Sequence, residues 1–166
     1  MDADSPQDDQ DWNEYVRSET PTERLDRNWS NLLQELRVVQ TGVQILTGFL
    51  LTLPFQQRFD ILNDDMRTVY LATIACAVAS TVLLIAPVGM HRVLFRQHRL
   101  KSLVTAAHRM AYAGLLLLGI AMAGSTVVIF DAVAGRTAGA VAGTTALAAF
   151  AAFWVFVPVW MRVSRR

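Results

Sequence analysis

The chain has 166 residues, of which 53% are hydrophobic and 17% charged, and its formal net charge is +1. An ordinary soluble domain is excluded, because its surface needs about 25% charged residues and the apolar residues here fall in runs of membrane-spanning length. A single cysteine, Cys76, excludes an intrachain disulfide.

Residues 1–27 hold nine of the fourteen acidic side chains against three arginines. Residues 1–19 are poor in aliphatics and are expected to form a disordered acidic tail. The start is acidic and no apolar run precedes Val38, so no cleaved secretory leader is expected. A single membrane domain is expected over residues 20–166. At "TPTERLDRNW", Thr20 is placed to cap a helix, Pro21 suits its first position, and Glu23 completes a capping box. Leu25, Trp29, Leu32, Leu33 and Leu36 then recur at helical spacing. Residues 20–37 therefore predict an amphipathic lead-in lying on the membrane surface.

Four apolar spans follow over about 38–55, 68–90, 108–130 and 138–161, each near the ~20 residues that a helix needs to cross the hydrocarbon. Period-two alternation is absent, which argues against a transmembrane barrel. The predicted fold is all-α: a four-helix transmembrane bundle with an N-terminal amphipathic interfacial helix and a disordered acidic tail. Arg24, Arg27 and Arg37 precede the first span, Arg92, Arg96, Arg99 and Lys101 separate the second from the third, and Arg162, Arg165 and Arg166 follow the fourth. The other side has Arg58, Arg67 and Arg136, diluted by Asp60, Asp64, Asp65 and Asp131. The positive-inside rule then predicts a multi-pass plasma-membrane protein with both termini cytoplasmic.

The first span carries more hydrogen-bonding side chains than an anchor requires. Arg37, Thr41, Gln44 and Gly48 share one helical face, and Gln40, Gln44, Thr47 and Leu51 share an overlapping one. A glutamine in hydrocarbon needs a partner, so this stripe is expected to face protein or water. Two readings stand: interhelical hydrogen bonds that fix the packing, or a hydrated pathway for protons or monovalent cations. Glu35 and Arg37 lie two apart, on different faces, and are expected to snorkel toward headgroups. His108 opens the third span and is expected opposite Glu35. The candidate pathway or network is thus Glu35, Arg37, Gln40, Thr41, Gln44, Thr47 and His108.

Each histidine precedes an arginine, at 91–92, 98–99 and 108–109. Contact with lipid phosphate, pH sensing and metal binding are the readings of that cluster, with Arg92, Arg96, Arg99, Lys101, Arg162, Arg165 and Arg166 as the residues for anionic headgroups. No metal site is expected, because no compact ligand spacing is present and the arginines repel a cation. Gly114, Gly135, Gly139 and Gly143, with the alanines beside them, predict close helix approach, within the chain or between copies. Phe153, Trp154, Phe156 and Trp160 suit an interfacial anchor.

No phosphate loop, nucleophile elbow, dinucleotide fingerprint or HExxH motif is present, and no carboxylate lies deep in a span. The expectation is a non-enzymatic protein with no cofactor and no nucleic-acid partner, acting as a homo-oligomer or as a subunit of a membrane complex. The stretches "ERLDRNWSNLLQELRVVQTGVQILTGFLLTLPFQQRF", "YLATIA", "APVGMHRVLFR" and "DAVAGRTAG" resemble a family of short actinobacterial membrane proteins classed as a domain of unknown function. Some members carry a sodium:proton antiporter label. The resemblance implies a four-span plasma-membrane protein, with cation transport as the alternative function.

Overall fold

A computed structural model describes residues 20–57, 59–94 and 100–164. Its elements are α1 (Pro21–Thr52), short 3-10 turns at Leu53–Phe55 and Phe59–Ile61, α2 (Asp64–Leu94), α3 (Leu100–Ala134), α4 (Arg136–Ala151), a π segment (Ala152–Phe156) and α5 (Val157–Val163). The described residues contain no strand. Four helices are long and apolar enough to cross a membrane, over Arg27–Phe55, Asp64–Met90, Thr105–Ala134 and Arg136–Met161. The start of α1, the end of α2 and the start of α3 lie together, with Trp29, Met90 and Ala107 in one cluster, and α4 runs back along α3 so that Phe150 lies by Gly119.

Helix α1 starts as its sequence dictates. The Glu23 N–H donates to Thr20 Oγ1 at 3.3 Å, and the Thr20 N–H donates to Glu23 Oε2 at 2.8 Å. The Thr20 backbone N–H, then its hydroxyl, hold the Glu23 carboxyl below its ordinary value of 4.5. A carboxylate with a lowered folded pKa stabilises above the unfolded pKa and stops doing so as pH falls through the folded one. Acidification through that range, or Thr20→Ala at neutral pH, should therefore fray the first turn. The measurement is amide exchange at Glu23 and Arg24, which should quicken severalfold while α2 and α3 stay protected.

The lead-in also packs within the chain. Helix α1 runs unbroken through residue 37, and Trp29, Leu32 and Leu36 are buried against Ala107 and Ala111 of α3 and Leu84 of α2. Those three residues of its apolar stripe are thus covered by protein. Length gives the reason. The 32 residues of α1 and 35 of α3 extend about 48 and 52 Å at 1.5 Å each, well beyond the ~30 Å hydrocarbon. Turns that overhang are free to pack on one another, as Trp29, Leu32 and Leu36 do with Ala107 and Ala111.

Helices α2 and α3 form the central pair, α1 packs against both, and α4 packs against α3. The core has two parts. One joins Trp29, Leu36, Val43, Leu84 and Leu118 toward the terminal side, and the other joins Leu50, Met66, Tyr70, Ala77 and Val128 toward the opposite side. At that opposite end the Met66 N–H donates to Asn63 Oδ1 at 2.9 Å, capping α2. The α3–α4 turn is a single residue, Gly135, whose φ of +88° lies in the region that side chains disfavour. Arg136 then reaches Asp65 at 3.2 Å, an exposed ion pair tying the start of α4 to the start of α2. Toward the other end of this span, Phe150 and Trp154 meet edge to face at 4.9 Å. The ladder slips into the π segment just before Pro158, whose ring nitrogen has no hydrogen to donate.

Candidate functional site

Hydrocarbon offers no hydrogen-bond partner, so the destination of each polar side chain in the spans shows what that side chain is for. Gln40, Tyr70 and Ser80 reach a neighbouring helix, and each donates to a backbone carbonyl. Gln40 Nε2 on α1 meets the Leu84 oxygen on α2 at 2.7 Å. Tyr70 Oη on α2 meets the Leu50 oxygen on α1 at 2.6 Å. Ser80 Oγ on α2 meets the Gly114 oxygen on α3 at 2.7 Å.

Two of these acceptors belong to turns disturbed by proline. An α-helix would pair the Leu50 carbonyl with the N–H of residue 54, but residue 54 is Pro. The Leu53 N–H and the buried Tyr70 hydroxyl serve that carbonyl instead. On α2, buried Pro87 denies a donor to Leu83, and the Gln40 amide serves the adjacent carbonyl of the same turn. The third acceptor is a glycine where the helices come close: a Cβ on Gly114 would lie 2.9 Å from Leu84 Cγ. At the other end of the α2–α3 pair, a Cβ on Gly124 would run into the Thr73 side chain.

The predicted stripe on α1 divides in two. Gln40 and Thr47 are half-buried beside buried Val43 and Leu50, while Arg37, Thr41, Gln44 and Gly48 are exposed. Successive residues turn by about 100°, so the two overlapping faces straddle the edge of the packed surface, and of their polar residues only Gln40 and Thr47 enter it. The threonines satisfy themselves. Thr41 donates to the Arg37 oxygen at 3.1 Å, Thr47 to Val43 at 2.7 Å, and Thr52 to Phe49 at 2.7 Å. Glu35 and His108 are both exposed. Among the described residues no side-chain hydrogen bond or ion pair joins Glu35, Arg37 and His108.

Of the four glycines expected at helix contacts, Gly114 faces α2 as described, and two others face α3. A Cβ on Gly139 would lie 2.9 Å from both Asp131 Cβ and the Val127 oxygen, and one on Gly143 would run into Val127. Gly135 has open space around it and makes the turn. The tail of residues 1–19 and Arg96, Arg99, Arg165 and Arg166 lie outside the described residues, as do the side chains of Arg92, Lys101 and Arg162.

A groove of about 350 Å³ opens between α2, α3 and α4, lined by Ala72, Thr73, Cys76, Gly124, Gly143 and Thr144 among others. Its hydroxyls are already used: Thr73 donates to the Val69 oxygen and Thr144 to the Ala140 oxygen. Among the described residues no three His, Cys, Asp or Glu side chains are grouped as metal ligands. The arrangement can bind helix to helix through carbonyls.

Sequence reasoning missed Tyr70, Ser80 and Thr73. A signal for Tyr70 was present, because Pro54 leaves the Leu50 carbonyl needing a donor from elsewhere. No curated protein and no solved structure matches the chain. A family model described as a family of unknown function matches residues 18–158, nearly the whole chain, and the protein therefore belongs to that family, DUF6328.

Proposed function

We propose that this multi-pass membrane protein acts through helix packing, as an oligomer or as a subunit of a larger membrane complex, and catalyses no reaction. The observation that carries this reading is the division of polar groups in the spans. Gln40, Tyr70 and Ser80 spend their donors on neighbouring helices, while Gln44 is turned away from the bundle at membrane depth. The outer helices leave room for partners. In the apolar windows of α1 and α4, 11% and 6% of residues are buried within the chain. The plasma membrane is the proposed location, with both termini cytoplasmic and the basic clusters on anionic headgroups. The distribution of Arg and Lys in the sequence supports that placement.

The test is the mass of the protein released from membranes into lipid nanodiscs, read by native mass spectrometry. A defined multimer, or a stoichiometric complex with one other membrane protein, is the expected result. A monomer with no partner across the accessible concentrations overturns the reading.

Transport of protons or monovalent cations is the second reading, and the outward polar row Arg37, Thr41 and Gln44 is what favours it. A path along that row would run between copies, since Gln40 is committed to Leu84. Dissipation of a pH gradient by proteoliposomes, lost in Gln44→Leu, would move the assignment to transport. Flux no greater than that of empty vesicles removes it.

A further inference from the structure

Gln44 lies 11 residues before Phe55, where its span ends, which is about 17 Å at 1.5 Å per residue and near the middle of a ~30 Å hydrocarbon layer. It is exposed, and among the described residues its amide has no hydrogen bond. The threonines above and below it return their hydroxyls to carbonyls of their own helix and are satisfied in lipid. An amide has two donors and an acceptor, and lipid tails meet none of them. One turn on, Gly48 has nothing within 4 Å of an added Cβ, whereas Gly114, Gly124, Gly139 and Gly143 are closed off by the chain's own helices. Gly42 is equally open but lies on the far flank of α1 from Gln44. The fold therefore leaves vacant one place on this face where a second backbone can come close, beside the polar group that most needs a partner.

We infer that this face of α1 binds α1 of a second copy about a two-fold axis parallel to the membrane normal, with the Gln44 amides paired across it. The inference rests on the packing reading above and names its partner. Charge complementarity selects the occupant. The amide oxygen carries partial negative charge and its N–H groups partial positive charge, so the side chain complements itself. Two copies inserted with the same orientation bring Gln44 to the same depth, and a closed two-fold interface lets each amide donate and accept. Any other helix must supply a matching polar group at that depth. Arg37 lies 18 residues from Phe55, about 27 Å, so the two guanidinium groups reach headgroup level and separate into phosphate and water.

The test uses the full-length protein in bilayers. In a Cys76→Ala background, Gly48→Cys should cross-link to itself, because a disulfide requires Cα atoms within about 7 Å. Val133→Cys, at a site 83% exposed at the far end of α3, should not. Gln44→Leu should weaken dimerisation about tenfold, the equivalent of one or two intramembrane hydrogen bonds, and should leave the unfolding of the monomer unchanged, since the amide makes no bond within the chain. Equal cross-linking at both positions, or an unchanged dimer affinity in Gln44→Leu, overturns the inference. If the protein remains a multimer in that variant, the packing reading survives without this face. If the unmodified protein is a single copy bound to another membrane protein, the inference falls and the packing reading stands; if it is a monomer with no partner, both fall.

Discussion

Leucine at position 139 is expected to separate α4 from α3. A Cβ there would lie 2.9 Å from the Val127 oxygen and 3.0 Å from the Asp131 nitrogen, and backbone atoms of a neighbouring helix cannot rotate out of the way. Overpacking of this kind costs about 1–3 kcal/mol, and rigid neighbours favour the upper end. As α4 is displaced, the ion pair between Arg136 and Asp65 should be lost, although an exposed pair contributes at most about 1 kcal/mol. Equilibrium unfolding in mixed micelles should show the loss, with greater protease access to the Gly135 turn. Gly42→Ala is the control, having nothing within 4 Å. It should be neutral or gain up to about 1 kcal/mol from helix propensity. A Gly139→Leu protein as stable as that control would mean that α4 does not sit against α3 as described.

Removing the Tyr70 hydroxyl is expected to cost about 0.5–1.5 kcal/mol, the net worth of one hydrogen bond to a carbonyl that keeps the Leu53 N–H as its other donor. Tyr70→Phe keeps the ring, including its edge contact with Phe59 at 5.2 Å, so the change isolates the bond to Leu50. Pro54 is the reason for the bond, and this makes the two positions interdependent. In a Pro54→Ala background residue 54 regains an N–H, the Leu50 carbonyl recovers a helical donor, and Tyr70→Phe should then cost clearly less. A double-mutant cycle measures the difference. Equal costs in both backgrounds would show that the hydroxyl does not compensate for the proline.

These two cases also mark how far the sequence could be read. The spacing of small residues at 135, 139 and 143 announced close approach. It did not say that two of the three would be taken up by α3 and that Gly135 would instead make the turn. That assignment depends on the rotation of α4 about its axis, which the one-residue connection and the central α2–α3 pair set jointly. The stripe on α1 was likewise legible as a row of hydrogen-bonding residues. Its division between Gln40 and Gln44 was not, because residues four apart differ by about 40° around the helix and a packed face ends within that angle. The capping box at Thr20 and Glu23, by contrast, is complete within four residues and could be read directly.

By itself the sequence determined the number of membrane-capable helices, the cap that starts α1 and the absence of carboxylates deep in the spans. Each depends on local composition or on contacts a few residues apart, and hydrocarbon penalises any alternative strongly enough to leave one solution. Tertiary structure decided that Trp29, Leu32 and Leu36 of the lead-in are covered by protein, that Tyr70 and Gln40 serve carbonyls at proline-disturbed turns, and that Gln44 is left facing outward. Those outcomes join residues 20 or more positions apart, and only the packing of whole helices fixes which donor meets which acceptor.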